Sequence, residues 1–230
     1  MQRPKLILST YPEPYKKEEL KELVEPFSAA YDVEFSEIEE EGDLFGLGLY
    51  FVFEALKDPT VQDWIIKPLV TGVMGALAKS FVDWIVKRWQ RTSEMNTHIP
   101  MEIRNVPPIG YSSDHLSSGF YITAKLTDIG TDELQRPAEL SSRLTVEFER
   151  IDEAFSRLWS AIQQGQVPQG MLEATLSCDP NTGQYSRVEC FAEPSRPMFP
   201  PQPIPIEHTK YEGDLFAPSG LSWRVAPPTW

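Results

Sequence analysis

The stretch PAELSSRLTVEFERIDEAFSRLWSAIQQGQVPQGMLEATLSCDPNTGQYSRVEC, residues 137–190, decides the fold. In its first half Leu140, Leu144, Phe148, Ile151, Phe155, Leu158 and Ile162 recur in steps of four and three, the period of a helix with one buried stripe. Pro137 suits the first turn, where its missing N–H is not needed, and Gly165 can adopt the left-handed conformation that stops a helix. The second half, MLEATLSCDPNTGQYSRVEC, reads as two strands around a turn at residues 179–183. Pairing Cys178 with Gln184 places Leu172, Ala174, Leu176 and Cys178 on one apolar face with Val188 and Cys190. The stretch therefore predicts a long amphipathic helix packed on an antiparallel hairpin, and an α+β fold.

That register sets Cys190 opposite Leu172, roughly 20 Å along the strand from Cys178, whereas a disulfide needs Cα atoms within about 7 Å. The expectation is two reduced, buried thiols and a cytoplasmic location.

Working outward toward the N-terminus, residues 5–9 form a short apolar strand, and KKEELKELVEPF (16–27) a helix with Leu20, Leu23, Val24 and Phe27 at helical spacing. Tyr31, Val33 and Phe35 then alternate with Asp32, Glu34 and Ser36, as in a half-buried strand. GLGLYFVFEALKD (46–58) and residues 68–91 read as helices. In the second, Lys79, Asp83, Lys87 and Gln90 face outward, opposite Leu77, Phe81 and Trp84. Arg88 falls on the apolar side, where a guanidinium either snorkels to the surface or anchors an anionic group.

Residues 92–118 hold few apolar positions and several prolines, which marks a loop or linker. Beyond it Phe120, Ile122, Ala124 and Leu126 alternate with Tyr121, Thr123 and Lys125, a strand. PSRPMFPPQPIPI (194–206) favours an extended polyproline II path. The apolar residues after it, among them Leu215, Phe216 and Trp223, suit a strap over the protein's own surface. The expected organisation is an N-terminal α+β unit (1–95), a linker (96–116), a second α+β unit (117–193) and a proline-rich extension (194–230).

The chain carries 34 acidic and 21 basic residues, a formal charge of −13. Such a surface repels phosphate backbones and anionic lipid, whose capture needs clustered Lys and Arg, so a nucleic-acid partner is not expected. The apolar run at residues 6–8 is too short for a signal-peptide core, and the uncharged stretch 68–78 is too short for a membrane span.

Reactive motifs are not expected either. His98, His115 and His208 lack metal-site spacing, so no metal is predicted. Ser112, Ser113, Asp114 and His115 crowd one loop, whereas a catalytic triad is assembled from separate elements. Gly46 and Gly48 lack the third glycine of a dinucleotide fold, and no cofactor is implied. EGDLF occurs twice, at 41–45 and 212–216. It reads as a shared local device in which Asp43 caps a following helix, the other reading being an Asp43 and Asp214 carboxylate pair.

What remains is the acidic cluster Glu37, Glu39, Glu40, Glu41 and Asp43 at a strand-to-helix junction, which with Arg88 forms the expected partner-binding set. A cationic partner would relieve its self-repulsion and be steered to it. The function expected is an acidic protein-binding module, such as a stoichiometric inhibitor of a basic protein surface. In type it is similar to the immunity and inhibitor proteins of bacterial conflict systems, without a shared motif. The alternatives are a carboxylate-centred hydrolase or transferase, and a membrane-associated effector using residues 64–89. Helix 137–164 could also serve as the seam of a homo-oligomer.

Overall fold

The computed structural model describes residues 5–10, 17–28, 31–37, 49–54, 73–91, 101–107, 115–192, 209–217 and 220–226. Within them the chain runs through three successive strand–helix–strand units. The first is β1 (Lys5–Thr10), α1 (Lys17–Val24) with a 3-10 turn (Glu25–Phe27), and β2 (Asp32–Glu37). The second is β3 (Leu49–Glu54), α2 (Val73–Arg91) and β4 (Met101–Val106). The third is β5 (Leu116–Lys125), the short α3 (Thr131–Leu134), α4 (Pro137–Gln163) and β6 (Met171–Ser177). β7 (Arg187–Ala192), β8 (Thr209–Asp214) and β9 (Trp223–Val225) follow.

All nine strands form one mixed sheet in the order β2-β1-β3-β4-β5-β6-β7-β8-β9. Within each unit the two strands are parallel neighbours, and successive units meet antiparallel, β1 with β3 and β4 with β5. Leu6 and Leu8 of β1, Phe51, Ile103, Ile122, Ala124, Ala174, Leu176, Val188 and Cys190 are buried and in register on one face. The helices cover that face, with α2 lying along α4.

α4 carries the expected stripe. Leu140, Leu144, Phe148, Ile151, Phe155, Leu158 and Ile162 are all buried. Gly165, at φ +68°, donates to Ile162 O at 3.1 Å, and Gln166 N donates to Ala161 O at 2.9 Å, the paired bonds of a left-handed helix stop. This stripe is buried within the chain's own core. In α2 the exposed Lys79, Asp83, Lys87 and Gln90 lie opposite the buried Phe81 and Trp84, as the wheel requires.

Four expectations need correction. The predicted linker 96–116 contains β4, which joins β3 to β5 and makes the sheet continuous. Its polar look misleads because Asn105, although 1% exposed, accepts a 2.9 Å hydrogen bond from Trp159 Nε1 of α4. The LYFVFE run inside residues 46–58 forms β3, since aromatic and β-branched residues fit a pleated strand paired on both sides. The hairpin register is Ala174 with Cys190, two residues from the expected pairing, so the same faces are kept. Both cysteines are free; Cys190 is buried, but Cys178 only partly so.

The C-terminal extension also differs in form. Residues 194–206 lie outside the described residues, and beyond them the chain returns as two strands. β8 pairs along all of β7, and β9 along β8. Leu215 is buried, and Trp223 Nε1 donates to Gln166 O at 2.7 Å, so the extension docks on its own sheet.

Candidate functional site

Strand periodicity sends every second residue of β4–β9 to the face opposite the helices, and these residues are largely polar. Arg104, Thr123, Thr175, Glu189, Glu212 and Arg224 form one row across six strands. Tyr121, Glu173, Phe191 and Lys210 form the row beside it. Glu102 with Lys125, and Arg187 with Asp214, lie on its other side.

The charges on this face neutralise one another. Glu189 and Glu212 stand directly opposite, a repulsive pairing, but Lys210 Nζ lies 3.0 Å from Glu189 and Arg224 Nη2 2.8 Å from Glu212. Arg104 Nη2 donates to Glu102 Oε2 at 3.3 Å, and Lys125 Nζ lies 3.8 Å from Glu102 Oε1. The Arg104 guanidinium also sits 5.2 Å from the centre of the Tyr121 ring. Tyr121 donates a short hydrogen bond to Glu173. Burial, that hydrogen bond and the Glu173 charge push the Tyr121 phenol up to about 12. Held neutral, it is no general base at physiological pH. Counting Arg104, Lys125, Arg187, Lys210 and Arg224 against Glu102, Glu173, Glu189, Glu212 and Asp214, this face contributes nothing to the chain's formal −13.

A second polar cluster joins the start of α4 to the sheet. Glu147 is 6% exposed; its Oε1 accepts from Thr127 N and from the Tyr185 hydroxyl, both at 2.6 Å, and its Oε2 from Arg143 Nη1 at 3.1 Å. Arg143 Nε lies 2.8 Å from Glu133 Oε1, and Glu133 Oε2 accepts from Gly130 N at 2.9 Å. Each member is engaged with another, so the cluster acts as a clamp between α3, α4 and the hairpin turn. Burial, then the charge and hydrogen bond of Glu147, raise the Tyr185 phenol far above its ordinary value, which keeps it a hydrogen-bond donor.

The expected partner-binding residues lie elsewhere. Glu37 closes β2, the outermost described strand of the sheet. Glu39, Glu40, Glu41 and Asp43 lie outside the described residues, and of the helix that Asp43 was expected to cap residues 49–54 form the strand β3 instead. Arg88 belongs to α2. Asp214 is exposed and its Oδ1 accepts from Phe216 N at 2.9 Å, so the second EGDLF forms a local turn; its first copy is not described. His115 packs beside Gly165, while Ser112, Ser113 and Asp114 are not described.

Among the described residues no three His, Cys, Asp or Glu side chains group so as to hold a metal ion, and no helix is long and apolar enough to cross a membrane. Phe81, Val82, Trp84 and Ile85, which an interfacial helix would insert into lipid, are buried in the core. Among the residues missed from sequence are Glu102, Arg104, Glu147 and Glu173; for Glu173 the usable signal was its alternation with Ala174 and Leu176. No protein-family model matches the chain, and neither a curated protein nor a solved structure matches it.

Proposed function

We propose that the chain is a protein-binding module, acting stoichiometrically on a basic surface of another protein in the cytoplasm, in the manner of an inhibitor or immunity protein. The observation that carries this reading is where acidic residues concentrate in the sequence. The polar sheet face is neutralised by its own ion pairs, whereas residues 32–43 hold seven acidic side chains and no basic one. The run starts on β2, where Asp32 and Glu34 are exposed, and continues through Glu37, Glu39, Glu40, Glu41 and Asp43. Seven like charges along twelve residues repel one another in the free protein. A cationic partner removes that repulsion and is drawn in from solution by the same field.

The test is purification of the tagged chain from its native cell at low ionic strength, with bound proteins identified by mass spectrometry. The reading predicts a basic protein in stoichiometric amount, released as salt compresses the screening length from about 30 Å at 0.01 M toward 3 Å at 1 M. A chain that emerges alone at low salt contradicts it.

A further inference from the structure

The buried core ends before the sheet does. Val188, Cys190 and Ala192 of β7 are all buried. Register carries the face of Val188 and Cys190 onto Gly213 and Tyr211 of β8, and from there onto Trp223 and Val225 of β9. Gly213 has no side chain, Tyr211 and Trp223 are partly buried, and Val225 is 63% exposed. Within residues 209–217 and 220–226 only Leu215 and Ala226 are buried.

Strand pairing and a few marginal contacts therefore hold β8 and β9 in place. Two aromatic side chains fasten them to the end of α4. Trp223 Nε1 donates to Gln166 O at 2.7 Å, just past the glycine stop, and the Arg157 guanidinium lies 4.1 Å from the centre of the Phe216 ring. Leu215 N donates to Ser186 O at 2.8 Å, and Lys210 Nζ lies 3.0 Å from Glu189 Oε1. Other bonds are internal to the pair, such as Arg224 Nη2 to Glu212 Oε2 at 2.8 Å and Ala226 N to Lys210 O at 2.9 Å, and would travel with it. Because β8 and β9 are the last two strands in the sheet order, their release leaves β2 to β7 paired as before. A segment with few buried apolar contacts and many half-exposed hydrogen bonds opens at a lower free energy than the core beside it.

We infer that β8 and β9 form a latched strap, which opens as one unit while the rest of the chain stays folded, and so uncovers the edge of β7. The chain then has a second state, in which the β7 backbone groups that pair with β8 are open to water. Trp223 and Phe216 are the latches that set how often this state is visited.

The test is amide exchange followed by NMR on the full chain. In the parent, the hydrogen-bonded amides of residues 209–214 and 223–225 are expected to share one protection level, at least about hundredfold below that of residues 171–177 in β6. Trp223→Phe keeps an aromatic ring and loses the indole bond, so exchange in both β8 and β9 should rise about fivefold. Glu147→Gln weakens the clamp between α4 and the sheet, which stays closed when the strap opens; it should speed β6 about fivefold and leave β8 and β9 at the parent rate. Equal protection of β6, β8 and β9 in the parent overturns the strap, as does a Glu147→Gln effect of the same size on all three. Unequal protection of β8 and β9, or parent-like exchange in Trp223→Phe, overturns the single latched unit.

Discussion

Replacing Glu147 by Leu probes the clamp between α4 and the sheet. The substitution removes three hydrogen bonds to a buried carboxylate, from Thr127 N, Tyr185 and Arg143. Bonds to charged groups contribute about 1.5–3 kcal/mol each, but the three donors are not equally stranded. The Tyr185 hydroxyl also lies 2.8 Å from the Lys125 carbonyl oxygen and can turn to it. Thr127 is exposed, so its N–H can reach water, and Arg143 keeps Glu133. The net loss is therefore about 3 kcal/mol, below the simple sum, or about 6–12 °C in Tm for a chain of this size. Glu147→Gln keeps an acceptor for Thr127 and Tyr185 and loses mainly the charge, so about 1 kcal/mol is expected. Tyr185→Phe measured in both backgrounds should show a coupling of about 1 kcal/mol with Glu147. The assay is urea unfolding at pH 7, comparing midpoints at constant slope. If Glu147→Leu lies within about 0.5 kcal/mol of the parent, desolvation of the carboxylate offsets its bonds and the clamp reasoning fails.

Burial pushes the Cys190 thiol from 9.0 up to about 12, so the fold holds it neutral while the unfolded chain ionises. Its contribution is complete below pH 9 and is lost as pH rises toward about 12, by about 1.4 kcal/mol per pH unit; Cys190→Ala should flatten the fall in urea midpoint between pH 9 and 10. Thr123 is 4% exposed and its Oγ1 has no hydrogen-bond partner, so Thr123→Val should stabilise by about 1 kcal/mol; a loss on denaturant titration would mean that the hydroxyl is satisfied after all. A Cβ at Gly213 would stand 3.0 Å from Leu221 Cδ1, 3.2 Å from Trp223 Cε3 and 3.3 Å from the backbone oxygen of Ser222. Gly213→Ala should therefore loosen β9 from β8, at about 1–3 kcal/mol, seen as faster amide exchange in residues 223–225.

The parts of the fold legible in the sequence are those where one physical period dominates. α4 announces itself through an unbroken four-three stripe and a glycine stop, and β5 through strict alternation. β4 was hidden because its inward positions are Ile103 and Asn105, and the amide is tolerated inside only through its bond to Trp159, a residue 54 positions away. β3 was misread because a short apolar run carries no period that separates strand from helix. β8 shows no apolar alternation, being half-buried throughout most of its length and held by pairing on both sides.

The clamp left a trace that could have been followed. Glu147 lies three residues after Leu144 and four before Ile151, which puts a carboxylate beside the buried stripe and calls for a partner. The polar face left less, because the ion pairs that neutralise it form only once successive strands are paired, as Glu212 of β8 with Arg224 of β9 and Glu102 of β4 with Lys125 of β5. Net charge alone could not show that this face is balanced.

The most direct measurement is the affinity of the co-purified partner for a chain in which Glu37, Glu39 and Glu41 are each changed to Lys, at low and at physiological ionic strength, with circular dichroism confirming the fold. The account predicts at least about tenfold weaker binding at low salt, expressed largely as slower association, and a smaller difference at physiological salt. An affinity unchanged at low salt would remove the acidic run from the interaction and contradict the proposal.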